Sequence, residues 1–244
     1  MYSFRRLAVL LALASSAISV LPAQSSSSSS NPAAADQQAS AATQTQPQIS
    51  VQARIRARRE QRRAAAIHDA YDHLYEAYVG GGYLRFTSGP ALQRVNEYDW
   101  NVGFTRYFNR RLGATVDGRG YYGTPFIEPN LTGITKPAVS QYAGLIGPTY
   151  RFYLQPKYSI SGRVLAGYAN GNFSGDTNGF GTAVLGLYPD GSTFGATASI
   201  FLDYNVAPTL ALRVAPEYYA TGFGSTIQNN LGYNISLVYR FGKQ

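Results

Sequence analysis

The chain has 244 residues, no cysteine and a formal net charge of +8. The missing thiols exclude disulfide staples, thiol catalysis and lipid acylation of a cysteine at a processing site. Tyr (20), Phe (12) and Gly (25) are abundant while charged residues make up only 14%. That balance suits a sheet with one lipid face and one polar face; no segment after the N-terminal apolar run is a transmembrane-helix candidate, and the mean hydropathy is −0.18.

Residues 1–23 read as an export signal: Arg5 and Arg6, an apolar run from Leu7 to Val20, then Leu21-Pro22-Ala23 ahead of a polar stretch. About 14 apolar residues are too few for a comfortable membrane span, so cleavage after Ala23 is expected. Residues 24–50 begin with Ser25 to Ser30 and continue rich in Ala, Gln, Thr and Pro, which predicts a low-complexity linker unable to order itself. From 51 to 74, Ala, Arg and Gln dominate and neither Gly nor Pro interrupts. This is a short basic helical arm, carrying Arg54, Arg56, Arg58, Arg59, Arg62 and Arg63, with little amphipathic character and therefore expected to be solvated.

From Tyr75 to the end the hydrophobic period is two. In the last segment Leu231, Tyr233, Ile235, Leu237, Tyr239 and Phe241 alternate with Gly232, Asn234, Ser236, Val238 and Arg240. The same count gives eight strands near 75–87, 94–108, 111–123, 140–154, 158–170, 193–206, 209–221 and 229–241. Asn109-Arg110, Gln155-Pro156-Lys157 and Ala207-Pro208 make tight turns, whereas 124–139, 171–192 and 222–228 are long and polar. A β-sandwich would alternate too. It has no reason to sort its aromatics, and here they are sorted. Phe108, Phe152, Tyr158, Tyr204, Tyr239 and Phe241 fall near the tight-turn end. Phe86, Tyr98, Trp100, Tyr122, Tyr142, Tyr168, Phe194, Tyr218 and Tyr233 fall near the loop end, with Val102, Ala114, Val116, Ile146, Val164, Ala198, Ile200, Leu212, Val214, Ile235 and Leu237 between. Two aromatic rings around an aliphatic band match the two interfaces of a bilayer. The fold class is all-β: residues 75–244 form an eight-stranded antiparallel transmembrane barrel.

Tyr75 to Tyr83, Gly147-Pro148-Thr149-Tyr150-Arg151-Phe152, Leu210 to Val214 and the closing Leu237-Val238-Tyr239-Arg240-Phe241 resemble the small eight-stranded outer-membrane β-barrels of OmpA/OmpX type. The resemblance implies residence in the bacterial outer membrane, outer-membrane lipids and the barrel assembly machinery as partners, and Phe241 as the closing aromatic that serves as the assembly signal.

On the inward parity lie Arg85, Asp99, Asp117, Arg119, Arg151, Arg163, Asp203, Arg213, Glu217 and Arg240. An eight-stranded barrel is too narrow for a free channel, so these are expected to form a paired charge network filling the lumen, with Asp203 and Arg213 the best pair across the turn at Ala207-Pro208. A selective pore lining is the alternative. The two histidines, His68 and His73, precede the first strand, so a neutral-pH general base is missing from the barrel and no enzyme is expected. Gly80-Gly81-Gly82 has no helix or lysine after it and is no phosphate loop. No cofactor or metal is implied, and an exported basic chain is expected to meet anionic lipid or a cell-wall polymer through its arm rather than nucleic acid. Two function classes follow: a structural or interaction barrel presenting extracellular loops, and a narrow pore or solute conduit.

Overall fold

The computed structural model describes residues 50–243, so the expected signal (1–23) and nearly all of the expected linker (24–50) lie outside the described residues. One α-helix, α1 (Val51–Tyr71), precedes eight strands: β1 (His73–Thr87), β2 (Arg94–Tyr107), β3 (Leu112–Gly123), β4 (Ala138–Leu154), β5 (Tyr158–Gly175), β6 (Gly191–Ala207), β7 (Leu210–Thr221) and β8 (Gln228–Lys243). Each strand pairs antiparallel with the next, and β8 returns to β1, closing the barrel. Closure leaves no sheet edge, the condition for spanning hydrocarbon with strands.

The connections alternate in length. At one end, the turn end, lie 108–111, 155–157 and 208–209; at the other, the loop end, lie 88–93, 124–137, 176–190 and 222–227. The tight turns are locally encoded. Asn109 Oδ1 accepts from the backbone N–H of Arg111 at 2.9 Å and of Leu112 at 2.7 Å, reversing the chain within four residues. Breaks of register at Arg151/Tyr153 and Asn205/Ala207 place one extra residue in β4 and in β6 beside the turn end. Such bulges add the local twist that closing a narrow barrel requires.

Burial alternates strand by strand with the sign opposite to that of a soluble protein. Val102, Val116, Ile146, Val164, Ile200 and Leu237 are exposed on the outer wall, while Asp117, Arg119, Arg213 and Arg240 are buried inside. Apart from Phe86, the aromatics of the two expected rings sit outside as well, and outward tyrosines touch: Tyr122 OH donates to Tyr142 OH at 2.9 Å, and the Tyr83 and Tyr233 rings stack at 5.8 Å. The fold is a transmembrane β-barrel.

Glycines make room for this interior at specific points. A Cβ on Gly80 or Gly82 would lie 2.3 Å from Ile235 O or 2.1 Å from Tyr233 O, and Gly82 also clears the Asp99 carboxylate. A Cβ on Gly103 would lie 2.1 Å from the Tyr78 ring, so this glycine lets Tyr78 lean across the lumen.

Candidate functional site

The lumen has three layers. Nearest the turn end is a five-membered ion cluster. Glu76 bridges two arginines, Oε2 to Arg151 Nη2 and Oε1 to Arg213 Nη2, both at 2.6 Å. Asp203 accepts from Arg213 Nε at 2.7 Å and Nη2 at 3.0 Å, and from Arg240 Nη2 at 3.2 Å. Aromatic faces shield the guanidiniums: Arg151 lies 3.5 Å from the Tyr107 ring centre and Arg213 lies 4.0 Å from that of Phe201. A second cluster sits above it. Arg119 Nε donates to Asp117 at 2.6 Å and its Nη1 pairs with Glu217. Arg163 closes the square at 3.7 Å from both acids, and its Nε donates to Ser199 Oγ at 3.0 Å. Tyr78 OH donates to Asp117 in the space that Gly103 leaves. Fully desolvated charges are tolerable only in such multiply bonded arrangements.

The third layer, toward the loops, changes character. Glu97 accepts from Gln141 Nε2 at 3.1 and 2.9 Å, and Asp99 faces Asn234, whose amide nitrogen in the orientation its neighbours require donates at 2.6 Å. Beyond them the interior is apolar. Leu84, Phe86, Val95 and Phe173 from the strands meet Ile127 and Ile134 of loop 124–137, Leu185, Leu187 and Tyr188 of loop 176–190, and Phe223 of loop 222–227. Phe86, Phe173 and Phe223 form an aromatic knot with ring centres 5.1–6.3 Å apart. Three loops thus fold inward and cover the mouth. Gln228 fixes one of them by accepting from Phe223 N–H at 2.8 Å and donating to Phe223 O at 2.6 Å.

The turn end is closed by α1. Ser50 caps the helix, its Oγ accepting from Ala53 N–H at 3.3 Å. The helix is exposed along most of its length, but Ala70 and Tyr71 are buried. Tyr71 OH donates to Gln155 O at 3.0 Å and accepts from Asn205 Nδ2 at 2.7 Å, while Arg151 and Arg240 stand over its ring at 5.2 and 5.0 Å. The side chain is a stopper resting on the first ion cluster. The arm, expected to be solvated, is therefore solvated only up to its last turn, and its one tyrosine docks it.

Most inward candidates are where the parity put them. Asp117, Arg119, Arg151, Arg163, Asp203, Arg213, Glu217 and Arg240 are all buried in the lumen, and the first seven together with Glu76 and Arg240 make the two clusters. Asp99 faces inward too, but it is only partly buried and has no cationic partner among the described residues. Arg85 is a correction: it is exposed on the outer wall, and Phe86, expected outside, is 0% exposed inside. The cause is physical. Near the loops the outer wall has left the hydrocarbon while the lumen has turned apolar, so the inside–outside pattern inverts along β1 and its register is read one residue out. The same slip hides Glu76, which the outward row Tyr75, Ala77, Val79 would have revealed. Glu97 was missed as well. An interior of six arginines and four acids should itself have signalled missing acids; the buried set among the described residues is five arginines and five acids. His68 is an exposed partner of Asp72 at 3.4 Å, outside the barrel, whereas His73, expected before the first strand, is the first residue of β1 and pairs with Lys243 of β8; no group of three or more potential ligands could hold a metal among the described residues.

No family model and no curated protein matches the chain. Solved structures do. Neisserial surface protein A aligns over 68% of this chain and 97% of its own at 14% identity, with a TM-score of 0.50. Ail, the attachment invasion locus protein of Yersinia pestis, solved with the heparin analogue sucrose octasulfate, covers 68% and 97% at 16% identity and a TM-score of 0.45. The N-terminal barrel domain of Pseudomonas aeruginosa OprF covers 67% and 97% at 11% identity and a TM-score of 0.36. With the closed eight-strand topology and the outward apolar wall, the likeness to the neisserial protein fixes the fold: this chain has the fold of the small eight-stranded bacterial outer-membrane barrels.

Proposed function

We propose that the protein is a closed outer-membrane barrel that presents its loops at the cell surface and conducts no solute. The carrying observation is the filled lumen: an ionic core covered by Tyr71 at one mouth and by an apolar cap at the other. A conduit would need a wet, continuous path, and a lumen-crossing guanidinium network supports the closed reading instead. The turn end faces the periplasm, as the short turns of such barrels do, and the loop end faces outward.

The loops supply an interaction surface. Phe126, Leu131 and Val184 are exposed on them, and Asn130 stiffens the tip at Leu131 by accepting from Thr132 N–H at 3.0 Å and donating to Ile134 O at 3.0 Å. Phe241 stays the assembly signal in this reading; it lies on the outer wall with its ring 5.6 Å from Tyr75 and 5.7 Å from Tyr239, where machinery approaching from the lipid can reach it. The arm serves as a contact for an anionic partner, either lipid headgroups or a polymer. Labelling tests the reading: in intact cells Leu131→Cys reacts with a membrane-impermeant maleimide, and failure to label while the detergent-extracted barrel labels fully would refute surface presentation.

A further inference from the structure

The described charges are sorted along the barrel axis. Loop-end surface charge balances: Arg85, Arg94 and Lys136 stand against Glu128, Asp176 and Asp190. The turn end does not balance. Arm residues Arg54, Arg56, Arg58, Arg59, Arg62 and Arg63 are all exposed. Rim residues Arg106, Arg110, Arg111, Lys157 and Lys243 are exposed beside them, and the acids at this end are Glu60, Asp69 and Asp72. Of these eleven cations, Arg110 is the one with an acid partner among the described residues, Asp72 at 3.6 Å.

Arm and rim are tied together. Tyr71 seats the last turn of α1 in the mouth, Arg63 Nε donates to Gln155 Oε1 of the turn 155–157 at 3.1 Å, and Asp72 holds Arg110. We propose that α1 and the turn-end rim form one cationic surface whose partner is the carboxylate-bearing polymer of the cell wall, bound as an extended chain. This rests on the orientation proposed above. A lipid surface fits less well. At about 100° per residue the arginines from Arg54 to Arg56 sweep roughly 200° of the helix circumference. Over 53–64 the remaining face carries Ala53, Ala57, Glu60, Gln61 and Ala64; the exposed Val51 and Ile55 lie inside the arginine sector and Ile67 is half-buried, so the helix has no continuous apolar face to enter the headgroup region. A helix charged over half its circumference and exposed over most of its length is built for an aqueous polyanion. From Arg54 to Arg63 the charge runs about 14 Å along the axis, long enough for several anionic groups of one strand.

Cosedimentation with purified cell-wall sacculi tests this, using the mature chain refolded in nanodiscs of neutral phosphatidylcholine. The wild type is expected to sediment at low salt and to lose about tenfold in affinity at several hundred millimolar salt, as screening shortens the reach of the charges. Gln at all six arm arginines should weaken binding at least tenfold. Gln at Arg111, Lys157 and Lys243 should weaken it about threefold, which separates a shared surface from an arm acting alone. A six-Gln variant that sediments like the wild type overturns the proposal. So does a wild type that ignores sacculi and instead binds phosphatidylglycerol vesicles. Heat-modifiable migration is read on every sample. A chain that never folds in lipid defeats the outer-membrane reading itself, whereas a folded barrel that ignores sacculi defeats only this inference.

Discussion

Removing Asp203 is the sharpest perturbation of the interior. Its carboxylate takes 2.7 and 3.0 Å bonds from Arg213 and a 3.2 Å bond from Arg240, all within a buried cluster. Asp203→Ala leaves Arg151, Arg213 and Arg240 sharing Glu76 alone. Breaking a buried pair by deleting one partner costs roughly 3–5 kcal/mol, and because Glu76 still holds Arg213 at 2.6 Å the lower end, about 3 kcal/mol, is expected. Arg213→Ala should cost a similar amount, and the double variant should cost less than the sum by about 1–3 kcal/mol. Urea unfolding in lipid vesicles measures this, with the single tryptophan, Trp100 on the outer wall, as the fluorescence reporter. Additive single effects, each below about 1 kcal/mol, are the signature of water-screened pairs and would refute the dry ionic core.

Other expectations follow from the same wall and mouths. Ile200→Arg puts a charge on the lipid face and should cost roughly 2–4 kcal/mol, and a spin label at 200 should be more accessible to lipid-phase oxygen than one at 199; the reverse ranking contradicts the register. Arg85→Cys should react with an impermeant maleimide in the folded barrel and Phe86→Cys should not, whereas the opposite result restores the discarded parity of β1. Tyr71→Ala should leave the barrel heat-modifiable at a cost of about 1.5–3 kcal/mol while speeding trypsin cleavage of α1; an unchanged cleavage rate means the tyrosine does not dock the arm.

Most of the barrel was legible in the sequence because one rule governs it. Where the outer wall touches hydrocarbon, residues such as Val102, Ile146 and Leu237 must be apolar, and lumen positions between them are freed for Asp117, Arg213 or Arg240, so period and parity come together. Legibility failed where that rule lapses. Gly80, Gly81 and Gly82 carry no parity mark, and past them Leu84 and Phe86 are apolar for the sake of the loop plug rather than the lipid. The plug itself was invisible, since the loops' Ile127, Leu185 and Phe223 acquire meaning only when the chain folds back over the mouth. Tyr71 was hidden for the same reason. Helix propensity describes the arm, but its docking depends on Gln155 and Asn205, more than eighty residues away.

Single-channel recording in planar bilayers tests the closed barrel most directly. The wild type is expected to insert without stable openings above the lipid background, because the ionic core and both caps block the axis. Frequent, long-lived openings of uniform conductance from the intact chain would contradict that account and promote the conduit.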